Sequence, residues 1–209
     1  FMIAEAKKGP LTIVAVGKLT NVALAVKKDP SFAKNVKLVW LGSNYPKPGE
    51  YNLNSDPASM NYLLDSDIPF EMVTVRYGEP SGTDAVKALQ TDIQEKMPEL
   101  GPKASTEITG RHGDTFDHFG DYAINLFDHI EMHGNPPSRP LFDMVAVAIL
   151  KNAAWGTSKD VPAPILENGE WKERLDNPRK ITIWENFDKE SIMTDFYNRM
   201  ENYALPEIK

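Results

Sequence analysis

The sequence predicts an α/β fold with an open, mostly parallel sheet and helices on both faces. Three apolar segments that are typical of buried strands lie at residues 11–16, 36–41 and 69–75. Segments with helical patterns separate them, at residues 20–28 and 56–66. Strands that alternate with helices of this length indicate right-handed crossovers between parallel strands. In such sheets, ligands bind at the carboxyl ends of the strands, so we look for a site in the loops there.

The elements of the first half have clear signals at their ends. Residues 1–9 read as the end of a helix, with lysines in the last turn and a glycine cap. The helix over 20–28 ends before Pro30, because proline disfavours the helical conformation of the preceding residue. Asp56 is expected to cap the helix over 56–66, with a proline at its first position.

The second half predicts longer helices and fewer strands. An amphipathic pattern predicts one helix over residues 83–97, and the Gly-, Thr- and His-rich segment up to residue 119 predicts a loop. Further elements are expected as helices at residues 120–132, 144–150 and 190–203, a linker at 135–140 and a strand at 181–184. No shift in composition marks a boundary, so residues 1–209 are expected to form a single domain.

Composition describes an ordinary globular protein and argues against some partners. The chain has 209 residues, of which 41% are hydrophobic and 25% charged, enough for one sizeable core. A net charge of -7 argues against nucleic acid or an anionic membrane as partner. No apolar run approaches the roughly 18 residues of a membrane-spanning helix. The chain has no cysteine, which excludes disulfides and cysteine-ligated zinc and leaves the compartment open.

The loop after the second predicted strand contains candidate binding residues. Glu50 and Asn52 are two positions apart, so in an extended chain their side chains point to the same side. A carboxylate accepts hydrogen bonds and a carboxamide both donates and accepts, so this pair can hold two vicinal hydroxyl groups. The alternative is a solvated turn in which the polar residues only satisfy backbone geometry.

Asp143 is the other candidate, because it stands between Phe142 and the apolar segment 144–150. This position predicts a buried environment. A buried carboxylate without a partner is costly, so we expect Asp143 either to cap the helix that follows or to bind a cation. The residues alone leave both interpretations open.

Three segments in order resemble the nucleoside hydrolase (inosine-uridine preferring) family. Residues 17–23, GKLTNVA, match the family's G-x-L-T-N-x-A turn. Residues 50–52, EYN, followed by Asp56-Pro57, match its E-F-N and D-P-x-A-A elements. Residues 141–148, LFDMVAVA, are similar to its H-D-P-x-A-V-A segment. The resemblance covers residues 11–150 and implies the family's Rossmann-like α/β core.

The resemblance implies hydrolysis of the N-glycosidic bond of a ribonucleoside, with Ca²⁺ as cofactor and a small-molecule nucleoside as partner. Asp143 matches the family's calcium-binding aspartate, and the carbonyl oxygen of Val16 would be a second ligand. Calcium takes six to eight oxygen ligands, and backbone carbonyls are common among them. A homo-oligomer is compatible with the sequence.

The resemblance also implies contacts to the ribose. Glu50 and Asn52 match the family's ribose-holding residues. Asn44 lies six positions before Glu50, where the family has another ribose-contacting asparagine. Leu41 occupies the place of a residue that lines the sugar site through its backbone.

Two departures from the family pattern affect the expected chemistry. Phe142, which cannot transfer a proton, stands where family members carry a histidine that can protonate the leaving base. His112, in a glycine-containing loop, is the remaining candidate acid, and a surface histidine is the alternative. The family's D-x-D-x-x-x-D-D motif, which supplies the general base and calcium ligands, does not occur in the chain. We therefore expect an N-terminally incomplete domain.

These departures leave three hypotheses. The first is a calcium-assisted ribonucleoside hydrolase. The second is a catalytically inactive relative that binds a ribosyl ligand or acts as an interaction protein. The third is a glycosidase of another sugar that uses Glu50 and Asp143 as paired carboxylates.

Overall fold

The computed structural model describes residues 1–204, in which eleven strands and eight α-helices are assigned. The strands are β1 (Leu11–Ala15), β2 (Val36–Leu41), β3 (Phe70–Val73), β4 (Lys87–Leu89), β5 (Lys103–Thr109), β6 (Thr115–His118), β7 (Ser138–Pro140), β8 (Thr157–Pro162), β9 (Ile165–Glu167), β10 (Glu170–Lys172) and β11 (Lys180–Glu185). The helices are α1 (Met2–Ala6), α2 (Thr20–Lys28), α3 (Tyr51–Ser55), α4 (Pro57–Leu64), α5 (Gln90–Lys96), α6 (Phe119–His129), α7 (Phe142–Lys151) and α8 (Lys189–Glu201).

The chain forms two compact units, which we describe separately. Unit 1 consists of Phe1–Ala85 and Phe142–Phe187. Unit 2 consists of Val86–Leu141 and the described residues from Asp188 onward. The single domain expected over residues 1–209 stays a prediction. No helix within residues 1–204 has the length and apolar character that crossing a membrane requires.

Unit 1 is built on a five-stranded sheet with the strand order β1-β2-β3-β11-β8. β1, β2, β3 and β11 run parallel, and β8 pairs antiparallel with β11 at one edge. This mostly parallel sheet, with helices packed against it, confirms the predicted α/β fold class.

β2 is an interior strand of the unit 1 sheet and is covered on both faces. Leu38 and Trp40 belong to a core cluster that includes side chains of α2 and α4. Val39 and Leu41 are also buried and alternate with them, so they lie on the opposite face of the sheet. α7 packs against β2. This double burial explains why the strand reads as a continuous apolar run rather than an alternating one.

Several local signals of unit 1 are confirmed. α2 and β2 have the predicted bounds, and α1 forms within residues 1–9. Asp56 caps α4 as expected: its carboxylate accepts hydrogen bonds from the Ser59 backbone N–H at 3.0 Å and from the Thr20 hydroxyl. The pKa of Asp56 is lowered. The largest cause is a hydrogen bond from the Ser59 hydroxyl, and the bond from Thr20 is the next largest.

The helix predicted over residues 83–97 is wrong. This segment forms a 3₁₀ turn at Thr83–Ala85, then β4, and only then the short helix α5. β4 pairs antiparallel with β7, which lies inside the linker predicted at residues 135–140. Pairing between segments far apart in sequence therefore overrides the local helical pattern.

The loop predicted up to residue 119 is also wrong, because β5 and β6 form an antiparallel hairpin. The rest of unit 2 is helical: α5, α6 and α8 pack around a small core that contains Ala88, Ile93, Met97 and Phe127. Helices were expected at residues 120–132 and 190–203, and α6 and α8 confirm them with shifted ends.

Candidate functional site

The carboxyl ends of β1 and β2 meet at one edge of the unit 1 sheet. The strands are parallel and Ala15 pairs with Trp40, so Val16 and Leu41 leave the sheet side by side. The Asn52 side-chain nitrogen Nδ2 donates to the carbonyl oxygens of both residues, at 3.4 Å to Val16 and 3.1 Å to Leu41. The structure therefore brings together three of the residues that the sequence predicted for the site.

Glu50 lies next to this edge and is held by the backbone. The residue is 6% exposed, and its carboxylate oxygen Oε2 accepts from the Ser43 N–H at 2.9 Å and the Leu53 N–H at 3.0 Å. Within residues 1–204, the second oxygen, Oε1, accepts no hydrogen bond, so it is the atom that can face a ligand. Glu50 also has a φ of 122°, a strained conformation of the kind that clusters at functional sites.

The expectation that Glu50 and Asn52 project from an extended segment is wrong. Glu50 is the N-cap of α3, and Asn52 lies inside that helix. The physical reason is the hydrogen bond from the Leu53 N–H to the Glu50 carboxylate, which satisfies a free donor at the start of the helix. The two residues reach the same edge through a capped helical turn rather than a strand.

Asp143 lies in the first turn of α7, close to Glu50. Partial burial of the carboxyl group raises the pKa of Asp143, and the negative charge of Glu50 raises this pKa further. The predicted burial of Asp143 is wrong, and so is the helix-cap alternative, whereas its role as a cation ligand stays a prediction. α7 begins at Phe142, so Asp143 is already inside the helix, and the residue as a whole is exposed.

The residues at this edge fit a hard cation. Asp143 and Glu50 are neighbouring carboxylates, and within residues 1–204 neither forms an ion pair. The Asp143 carboxylate and the Val16 carbonyl are both oxygen donors, the type that calcium prefers, and Glu50 adds negative charge beside them. A bound cation would also offset the repulsion between the two carboxylates, which is the repulsion that contributes to the raised pKa of Asp143.

Two aromatic residues flank this group, and the sequence analysis missed one of them. The Tyr77 and Phe142 rings pack edge to face, with ring centres 5.8 Å apart. Burial raises the pKa of Tyr77, and the charge of Glu50 adds to the effect, so Tyr77 is also a neighbour of Glu50. The side-chain oxygen of Asn44 accepts from the Tyr77 backbone N–H at 3.2 Å, so this predicted ribose contact supports the loop that carries Tyr77. The sequence did contain a signal for Tyr77, because it is an aromatic residue next to a glycine-containing turn.

His112 belongs to unit 2. It lies between β5 and β6, and its ring stacks on that of His129 with centres 4.9 Å apart. Its role as an acid stays a prediction.

A mostly parallel α/β sheet with two carboxylates and a carboxamide at its strand ends defines a ligand-binding α/β protein. The model of one family, described as inosine-uridine preferring nucleoside hydrolase, matches residues 1–194. The chain belongs to the nucleoside hydrolase family, as the three sequence segments predicted.

Curated relatives and solved structures are similar to the chain over different lengths. A probable uridine nucleosidase 2 of Arabidopsis thaliana is 38% identical over 96 residues, which cover 44% of this chain and 24% of that protein. The pyrimidine-specific ribonucleoside hydrolase RihA of Shigella boydii is 23% identical over 212 residues, covering 93% of this chain and 62% of the relative.

Two solved structures share the fold. A plant nucleoside hydrolase, PpNRh1, superposes with a TM-score of 0.74 at 19% identity, covering 96% of this chain and 65% of that one. The purine-preferring ribonucleoside hydrolase of Gardnerella vaginalis gives a TM-score of 0.73 at 19% identity, covering 96% and 64%. The chain thus spans less than two thirds of the length of each of these relatives.

Proposed function

We propose that the protein hydrolyses the N-glycosidic bond of ribonucleosides to ribose and free base, with calcium as cofactor. Membership of the nucleoside hydrolase family supports the reaction class. The observation that carries the site assignment is the pair of hydrogen bonds from the Asn52 side chain to the Val16 and Leu41 carbonyl oxygens, at the ends of two parallel strands. Glu50, two residues away, is held at the same edge by the Ser43 and Leu53 N–H groups.

Glu50 and Asn52 would bind the ribose hydroxyl groups. The backbone holds Glu50 through Oε2, so a ribose hydroxyl can donate to Oε1. Asn52 uses its nitrogen for the two strand-end carbonyls, so its side-chain oxygen is left to accept from a second hydroxyl. Both residues act from fixed positions, which reduces the entropy lost on binding.

Asp143 and the Val16 carbonyl would hold the calcium ion. A bound calcium ion supplies Lewis-acid chemistry, polarising oxygen ligands and lowering the pKa of water. The negative charges of Glu50 and Asp143 would stabilise the positive charge that develops on the ribosyl ring as the glycosidic bond breaks.

The experiment that tests this proposal measures binding and sugar release separately. Calorimetric titration with ribose and inosine reports binding, and reducing-sugar release with and without a chelator reports turnover. Asn52→Ala removes the proposed ribose contact, and Asn54→Ala on the exposed side of the same helix is the matched control. Asp143→Asn removes the calcium ligand, and exposed Asp176→Asn is its control.

In the whole protein, we expect Asn52→Ala to lose most ribose affinity and turnover, and Asp143→Asn to lose calcium in elemental analysis, while both controls behave as the unaltered protein. Binding without sugar release would favour the inactive ribosyl-binding relative. Sugar release that a chelator does not affect would remove calcium from the proposal. Equal effects of Asn52→Ala and Asn54→Ala would remove the ribose role of Asn52.

A further inference from the structure

Unit 2 contains a group of metal-ligand side chains that the proposed function does not use. Asp117, His118 and Asp121 bring one ligand atom each to within 4.8 Å of one another. The His118 ring nitrogen Nδ1 lies 2.7 Å from Asp117 Oδ1 and 3.9 Å from Asp121 Oδ2. The sequence analysis missed this group, although the D-H-F-G-D spacing places all three residues within five positions.

The backbone and the neighbouring residues fix this arrangement. His118 ends β6 and is the N-cap residue of α6, but its side chain makes no capping bond. Gly120 approaches the end of the preceding helical segment so closely that a Cβ there would lie 1.8 Å from the Met97 carbonyl oxygen. This close packing positions the first turn of α6, which carries Asp121.

Each carboxylate uses one oxygen for an outer partner and turns the other toward His118. Asp117 Oδ2 pairs with the Lys103 ammonium at 3.2 Å, whereas Oδ1 faces the imidazole. Asp121 Oδ1 accepts from the Glu99 backbone N–H at 3.0 Å, whereas Oδ2 faces the imidazole. Metal-binding carboxylates are typically oriented by such outer hydrogen bonds.

A cavity of about 480 Å³ opens beside the group, and Asp117 and His118 form part of its wall. Much of the remaining wall is apolar or aromatic, formed by residues that include Ile108, Phe116, Phe119 and Tyr122. This size is in the range of small-molecule sites. A small molecule in the cavity would therefore lie beside Asp117 and His118.

We propose that Asp117, His118 and Asp121 bind one Zn²⁺ ion, with an open coordination position toward this cavity. One imidazole nitrogen and two carboxylate oxygens are a zinc-type ligand set. Tetrahedral zinc with bonds of about 2.0–2.2 Å separates its ligand atoms by about 3.4 Å. The distances of 2.7 Å and 3.9 Å fall on either side of this value, so small side-chain rotations suffice.

The test is a calorimetric titration of the chelator-treated full chain with ZnCl₂, in the presence of saturating CaCl₂. His118→Gln and Asp121→Asn remove ligands. Exposed His133→Gln is the control for histidine content. Asp143→Asn is the control for zinc binding by the unit 1 carboxylates. Circular dichroism of each variant checks that it is folded.

We expect one Zn²⁺ per chain, at least about tenfold weaker binding in each ligand variant, and unchanged binding in both controls. In the unaltered chain, Zn²⁺ should also shift the imidazole NMR signals of His118 and leave those of His133 in place. Absence of binding, or equal affinity in ligand and control variants, would overturn the zinc site and leave an imidazole–carboxylate hydrogen bond. This outcome is independent of the calcium proposal, because that proposal rests on Asp143.

Discussion

Gly42 has no side chain, and the Trp40 ring occupies the space that a side chain there would fill, next to the candidate site. A Cβ on Gly42 would lie 2.1 Å from the Trp40 ring, far inside contact distance. Trp40 is 1% exposed, and its indole nitrogen donates to the Gly17 carbonyl at 2.9 Å. One residue without a side chain therefore allows the bond that joins the ends of β1 and β2.

We expect Gly42→Ala to destabilise the protein by about 1–3 kcal/mol, because the added methyl group overpacks the site of the Trp40 ring. Urea denaturation measures the change in the free energy of unfolding. Gly17→Ala is the matched control, since a Cβ there meets nothing within 4 Å. An equal loss in both variants would contradict the packing explanation.

Phe142 determines which leaving groups the proposed reaction can use. A phenyl ring cannot protonate a departing base, so a substrate with a leaving group that needs no proton should react best. We predict that the whole protein prefers p-nitrophenyl riboside to inosine, and that Phe142→His raises kcat/KM for inosine by about 100-fold. The Phe142→Gln variant adds a polar side chain that cannot transfer a proton and is the control. A similar gain for both substrates would indicate a change in binding rather than in proton transfer.

At the scale of elements, an ion pair connects the loop after β3 to the end of β11. The Arg76 guanidinium lies 2.7 Å from the Glu185 carboxylate, and both side chains are largely buried. Lys159 pairs with the same carboxylate at 2.8 Å from a half-exposed position. Burial raises the pKa of Glu185, but hydrogen bonds from Lys159 and Arg76 outweigh it, so the pKa is lowered overall.

This lowered pKa gives a prediction with a defined sign. The folded state binds the Glu185 proton more weakly than the unfolded chain, so the pair contributes stability above the ordinary glutamate pKa of about 4.3. That contribution is lost as the pH falls through the lowered pKa. We expect Glu185→Gln to cost about 3 kcal/mol at pH 7, because Arg76 stays buried without its partner, and to cost much less in acid.

Urea denaturation at several pH values measures this difference. Lys159→Met should cost less than about 1 kcal/mol, as for other exposed pairs. A cost of Glu185→Gln that is independent of pH would exclude the ionic explanation.

The sequence correctly predicted the elements that are specified by their own residues and immediate neighbours. β2 is apolar except for Lys37, and α2 ends where Pro30 requires it, so both have the expected bounds. β4 was missed because it forms by pairing with β7, which lies about 50 residues further along the chain, and a local pattern cannot contain this pairing. At the site, the sequence predicted Val16, Leu41 and Asn52 as neighbours.

The same limit applies to the geometry of the site. The positive φ of Glu50 and its bonds to two backbone N–H groups depend on how the loop folds back onto Ser43. Residue types do not encode this contact, so the capped turn replaced the expected extended segment. Tyr77 was missed for the same reason, because its neighbours Glu50 and Phe142 come from other parts of the chain.

At the scale of the whole molecule, net charge gives a prediction about partners. The charge of -7 should repel polyanions, so we expect no retention of the protein on immobilised double-stranded DNA at physiological salt. Retention that falls steeply as salt increases would contradict this expectation.

The two units also differ in how their strands are protected from solvent, which predicts an uneven distribution of stability. β2 is buried along most of its length and pairs with a strand on each side. β5 is exposed along nearly its whole length, and among residues 1–204 it pairs only with β6. Local opening requires less free energy where few apolar contacts are lost. Hydrogen-exchange mass spectrometry should therefore show faster exchange in peptides from residues 103–118 than from 36–41. Equal protection of both segments would contradict this expectation.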